Sequence, residues 1–167
     1  MTAQSVRRLT ARDAREFRDL RLESLRLHPE AYGSRLSDWD EQPPSAFADR
    51  LSRSHVFGLL EAGSLVGIAA LDRERGGNTN HRGLVTAVYV RAAHRGRGGL
   101  ARLMDAVESA GRGMGLVQIE LTVADDNAAA RNGYLRAGYR PVATLPRALR
   151  DAAGFRDEIL MILTLDG

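Results

Sequence analysis

The stretch from Leu84 to Val123 restricts this chain to few folds. Leu84 to Val90 carries the valines and the tyrosine of a buried strand, and the segment HRGRGGLARLM, His94 to Met104, follows it. Leu100, Leu103, Met104 and Val107 then recur at the i, i+3, i+4, i+7 spacing of an apolar helix face. Leu116 to Val123 returns to strand character. Strand, glycine-rich turn, helix and strand in that order make a right-handed β-α-β crossover, which sets two parallel strands inside whatever sheet the chain forms.

The flanks fill in the rest. Val6 to Leu9 is a short strand, and Thr10 with Asp13 resembles a capping box opening a helix that runs to about Leu27, with Phe17, Leu20, Ser24 and Leu27 along one stripe. Pro29 and Gly33 break that pattern, a polar loop follows, and Ser45 caps a second helix to about Arg53. Two apolar runs around Ala62-Gly63-Ser64 form a hairpin. Beyond the crossover, Asn127 to Ala137 is a helix stopped by Gly138, and strands at Tyr139–Leu145 and Ile159–Leu165 flank a loop holding Pro146 and Gly154. The order β-α-α-β-β-β-α-β-α-β-β reads as α+β, a mixed, mostly antiparallel central sheet flanked by helices. Its 167 residues fit a single domain, residues 1–167.

Composition removes several function classes. With no cysteine there is no disulfide framework, thiolate metal site or cysteine nucleophile, and no histidine or carboxylate spacing suggests a metal ligand set. The absence of a signal-like or membrane-length apolar run predicts a soluble, cytoplasmic protein with no membrane partner. All 24 basic residues are arginines, but the net charge is only +3, a weak reason to expect nucleic acid.

The turn itself points to an anion. The first amides of a helix have no intrahelical partners, glycines let a phosphate reach the backbone, and Arg95 and Arg97 add charge-assisted donors. A solvated surface turn is the bland alternative. A dinucleotide site is another: Gly96, Gly98 and Ala101 spell G-x-G-x-x-A, with Asp125 where a ribose-binding carboxylate belongs. Against it, Arg91 to Arg95 separate the strand from the first glycine, and no second β-α-β half follows.

Arg95, Gly96, Arg97, Gly98, Gly99 and Leu100 also resemble the Gln/Arg-x-x-Gly-x-Gly/Ala signature of the GCN5-related N-acetyltransferases, with Leu100 in place of a small residue. Asn127, Ala130, Tyr134, Gly138 and Tyr139 are similar to the family's later block, Asn-x-x-Ala-x-x-x-Tyr-x-x-x-Gly-Phe, with Gly133 where leucine usually precedes the tyrosine. The resemblance implies an acetyl-CoA cosubstrate lying where the fourth and fifth strands splay. The pantetheine arm would lie against Val88, Tyr89 and Val90, the pyrophosphate on the amides from Arg95 to Ala101, with Asn127 and Ala130 nearby. It implies Tyr134 as general acid to the departing thiolate in direct attack by a primary amine. Glu120 or His81 would be the proton acceptor through water.

The acceptor, a small-molecule or peptide amine, would meet the segment from Glu23 through Gln42 and the loop from Pro146 to Asp157, where Asp38, Asp40 and Glu41 around Trp39 offer charge and a cation-π face to a cationic amine; a solvated acidic loop with Trp39 folded into the core is the alternative. A homodimer is a further implication. A CoA-sensing or RNA-binding protein on the same fold remains the alternative class.

Overall fold

The computed structural model describes residues 2–166. Its strands are β1 (Gln4–Arg8), β2 (His55–Glu61), β3 (Ser64–Arg73), β4 (Arg82–Val90), β5 (Gln118–Ala124), β6 (Arg140–Asp151) and β7 (Gly154–Thr164). The helices are α1 (Ala14–Leu27), α2 (Pro44–Arg53), α3 (Gly99–Gly113) and α4 (Ala128–Arg136), so the element order expected from the sequence is the one found. The strands form one sheet in the order β1-β2-β3-β4-β5-β7-β6, and only the β4–β5 pair is parallel. None of the described helices is long and apolar enough to cross a membrane.

The sheet separates two apolar layers. On one face Leu103, Met104 and Val107 of α3 pack on Leu59, Leu71, Ile119 and Leu121. On the other, Phe17 and Leu20 of α1 and Phe47 and Leu51 of α2 pack on Val56, Ile68 and Tyr89. Each helix contributes one stripe and each strand both faces, the pattern of a sheet covered by helices on two sides.

Several boundaries differ from expectation for identifiable reasons. The Thr10 amide donates to the Asp13 carboxylate at 2.7 Å, but this box opens a single 3-10 turn, Ala11–Asp13, ahead of α1. Leu27 is 58% exposed, because α1 ends there and the buried stripe runs through Leu22 and Leu25 instead. Pro44 rather than Ser45 begins α2, since a proline suits the first helical position, where no amide is needed. The expected loop from Pro146 to Asp157 is instead a long hairpin of β6 and β7. Two extra residues of β6 bulge out between Leu145 and Leu149, Arg147 takes φ +53°, and its amide donates to the Asp157 carboxylate at 2.8 Å. A sheet edge tolerates a proline at such a bulge because the missing amide faces no neighbour.

Candidate functional site

The parallel strands β4 and β5 pair only at Arg82, Gly83 and Leu84 against Gln118, Ile119 and Glu120. Beyond that point β4 stays on β3 and β5 stays on β7, so a wedge opens in the middle of the sheet. A bulge lies in the diverging part of β4: Thr86 pairs with Ala70 and Tyr89 with Ile68, leaving one residue too many in β4, which Ala87 absorbs at φ +55°. A bulge bends its strand, and a non-glycine residue in the left-handed region carries a cost of order 1 kcal/mol that the surrounding sheet must hold.

The Arg91 amide donates to the Val66 carbonyl at 2.9 Å. Alternation along the ladder then turns the main-chain groups of Tyr89 toward β3 and those of Val88 and Val90 into the wedge. Two side chains reach those same groups: the Tyr32 hydroxyl donates to the Val88 carbonyl at 2.9 Å, and Arg95 Nε to the Val90 carbonyl at 2.7 Å. Tyr89 therefore offers no main-chain group to the wedge, in contrast to the sequence expectation, and its phenol donates to Glu23 on the other face at 3.0 Å.

A 3-10 turn, Ala92–His94, lies between β4 and the glycines and accounts for the spacing that disfavours a dinucleotide fingerprint. Gly96 and Gly98 have φ of +73° and +79°, and a Cβ on either would meet nothing within 4 Å, so the turn needs glycine for its backbone and leaves open space above it. The first helical bond of α3 runs from the Arg102 amide to the Gly98 carbonyl. The amides of Gly96, Arg97, Gly98, Gly99, Leu100 and Ala101 have no partner among the described residues. Consecutive free amides at a helix start form a cradle for an anion such as a pyrophosphate.

The arginines of the turn serve otherwise than expected. Arg97 donates to Glu61 at 2.6 Å and to the Ala93 carbonyl at 2.7 Å, while His94 Nδ1 contacts the other Glu61 oxygen. Arg95 folds back over the Tyr89 ring, 5.9 Å from its centroid. Side-chain charge thus braces the turn against β2, and the cradle itself is main chain. Gly99 packs so closely that a Cβ would lie 2.5 Å from Leu59, which seats the start of α3 on the sheet.

The two departures from the resembled motifs meet in space. A Cβ on Gly133 would lie 2.5 Å from Leu100 Cδ2, so the leucine of α3 fills the place that the missing side chain of α4 leaves. Asn127 caps α4 through its side-chain oxygen, which accepts from the Ala130 amide at 3.2 Å. Tyr134 follows on that helix, 6% exposed and edge-on to Tyr139. Burial, with the Tyr32 phenol as its electrostatic neighbour, pushes the Tyr134 hydroxyl far above the ordinary phenol range.

Glu120 lies where the wedge begins, opposite Leu84, on the sheet face away from α3. Its carboxylate is 3.1 Å from Arg82 Nε and accepts from Gln118 at 2.9 Å. His81 is exposed at the closed end, where its carbonyl accepts the Val117 amide, about 20 Å back along β4 from Val88. The structure does not bring His81 to Tyr134.

On the α1–α2 face the expected acceptor residues are engaged otherwise. Arg91 holds Glu23 from two nitrogens at 2.8 to 3.1 Å and Tyr89 adds its hydroxyl, which keeps the Glu23 carboxyl below the usual range and clamps α1 to the end of β4. Trp39 packs on Phe47, and the face expected to meet a cationic amine lies 6.0 Å from the Arg21 guanidinium. Glu41 is exposed. An open polar groove of about 830 Å³, bordered by Trp39, Arg50, Asp72 and Leu84, runs beside them. Sequence reasoning passed over Arg21 and Tyr32. Arg21 falls on the buried stripe of α1, between Phe17 and Ser24, and a charge in such a stripe is the signal that marks it.

Similar folds occur among solved structures. A GNAT-family acetyltransferase from Streptococcus pneumoniae matches at TM-score 0.85 and 17% identity, covering 98% of this chain and 100% of that one. A protein from Salmonella typhimurium, solved with its cofactor acetyl-CoA, matches at TM-score 0.84 and 22% identity, over 98% and 95%. A GCN5-related N-acetyltransferase from Kribbella flavida matches at TM-score 0.81 and 22% identity, over 98% of each chain. No curated protein sequence matches. The model of the acetyltransferase (GNAT) family matches residues 15–139, from α1 through the glycine turn to Tyr139. The match takes in the wedge, the amide cradle and Tyr134, and the chain belongs to the GNAT family of acetyltransferases.

Proposed function

We propose that this acetyltransferase uses acetyl-CoA to acetylate a primary amine by direct attack, with Tyr134 attending the departing thiolate. The observation that carries the reading is the wedge between β4 and β5, lined by main-chain groups of Val88 and Val90 and ending at the six free amides from Gly96 to Ala101. These suit an extended amide-bearing arm and a pyrophosphate, and the acetyl thioester supplies the reacting carbonyl. Tyr32 and Arg95 hold the Val88 and Val90 carbonyls, so the arm either shares them or displaces those side chains.

In the reaction the amine nitrogen bonds the acetyl carbon, the carbon–sulfur bond breaks, one proton leaves nitrogen for the proton acceptor, and coenzyme A departs as a thiolate that solvent can protonate after release. An ordinary phenol titrates near ~10 and a thiol near ~8.5, and burial widens that gap. Tyr134 thus stays protonated at neutral pH and stabilises the thiolate by donating a hydrogen bond. Full surrender of its proton would be uphill. Glu120 is the better placed proton acceptor, at the point where the strands part, with its carboxylate 3.1 Å from Arg82 Nε.

Calorimetry with acetyl-CoA and a thiol-release assay over amine classes test this reading. Tyr134→Phe should lower kcat by about 10²-fold while acetyl-CoA still binds. Unchanged turnover would remove Tyr134 from the mechanism, and acetyl-CoA binding without acetylation of any amine would favour a sensing role.

A further inference from the structure

Arg21 is 6% exposed, and its Nη1 is buried without a hydrogen-bond partner among the described residues. The guanidinium lies 4.9 Å from the Tyr32 ring centroid and 6.0 Å from that of Trp39. Among the described residues no carboxylate pairs with it. Glu23, two positions on, is saturated by Arg91 and Tyr89, and the Asp38 carboxylate takes the Arg35 amide at 2.7 Å. The charged neighbour that Arg21 feels is another cation, Arg50, itself paired with Asp72 at 3.0 Å. A buried cation without a carboxylate partner is costly, and arginine cannot escape by deprotonating near neutral pH.

The position of this charge matters. Tyr32 bears Arg21 on its ring face while its hydroxyl holds the Val88 carbonyl in the wedge and neighbours the Tyr134 phenol, so the guanidinium lies one aromatic ring away from the wedge in which the acetyl-bearing arm is proposed to lie. An amino acid backbone spans such a gap, with its carboxylate at one end and its amine at the other. We infer that Arg21 is a receptor for a carboxylate, and that the acceptor is a free amino acid or a close analogue bearing both groups. The inference rests on the acetyltransferase reading above and reverses the cationic-amine expectation drawn from Trp39 and Glu41. The planar guanidinium fork matches a carboxylate in two parallel hydrogen bonds. Tyr32 follows a one-turn 3-10 helix, Pro29–Ala31, in the irregular α1–α2 segment, and its ring is the cover that the ligand displaces.

The test uses the full chain, the free amino acids and the carboxamide of each. One or more acids should be acetylated with kcat/KM about 10²-fold above the matching amide, and Arg21→Met should abolish that preference through KM. Arg21→Met removes an uncompensated buried charge, so it should melt no lower than the parent; Arg21→Lys should retain part of the preference. Amides used as well as acids, or a preference that survives Arg21→Met, would overturn the inference. Calorimetry with the acids alone separates it from the reading it rests on. Acids bound through Arg21 without any acetyl-CoA binding would sink the transferase reading and keep the carboxylate site. Normal acetyl-CoA binding with no acid bound or acetylated would do the reverse.

Discussion

Tyr139 is fully buried with its ring edge-on to Tyr134, centroids 6.0 Å apart, and its hydroxyl has no hydrogen-bond partner among the described residues. A buried hydroxyl without a partner costs its desolvation and returns nothing. Tyr139→Phe, which restores the residue of the resembled motif, should raise stability by about 1 kcal/mol and the melting temperature by about 2 to 4 °C. A lower melting temperature would reveal a partner for that hydroxyl. At this scale the sequence identified residue types well and their partners poorly. Arg97 is cationic in either reading, but Glu61, 36 residues away, decides whether that charge faces a ligand or braces a turn. Glu23 likewise has the residue type of a ligand group, and its claim by Arg91 and Tyr89 arises only when α1 packs on β4.

Among the elements, α3 and α4 are fitted to each other through Leu100 and Gly133. Glycine inside a helix costs roughly 1 kcal/mol against alanine, so Gly133→Ala alone sets a propensity gain against displacement of the Leu100 side chain. In a Leu100→Ala background that displacement vanishes. A double-mutant cycle read by urea denaturation should give Gly133→Ala little effect alone and about 1 kcal/mol of stabilisation beside Leu100→Ala. Equal effects in both backgrounds would mean the two helices do not feel each other there. The sequence showed each departure separately, because a contact between positions so far apart has no local signature. Elements with a clear apolar period, such as α3 and the β2–β3 hairpin, were legible. The β6–β7 hairpin was not, since Pro146 and Gly154 are loop signals whose meaning changes at a sheet edge that can bulge.

Across the molecule, the groups with lowered carboxyl or imidazole titration all act in one direction. Asp13 is held down to about 2 by its hydrogen bonds with Arg7, Glu23 is held below the usual carboxylate range chiefly by Arg91, and burial lowers His55. For each, the folded form binds its proton less readily than the unfolded chain, so its contribution is complete above the unfolded pKa and lost as pH falls through the folded one. The imidazole contribution therefore fades below about pH 6.5, and the carboxylate contributions fade from about pH 4.3 downward. The urea midpoint should be flat above neutrality until the buried tyrosines, whose titration the fold raises, begin to cost stability at about pH 10, dip slightly below pH 6.5 and fall steeply below pH 4.3. Glu23→Gln should cost about 1 to 2 kcal/mol at pH 7 and flatten the steep limb, because it removes a charge-assisted clamp between α1 and β4. An acid limb identical in the variant and the parent would show that α1 stays docked without that clamp. In that case the position of Arg21 and Tyr32 beside the wedge would depend on the apolar stripe of α1 alone.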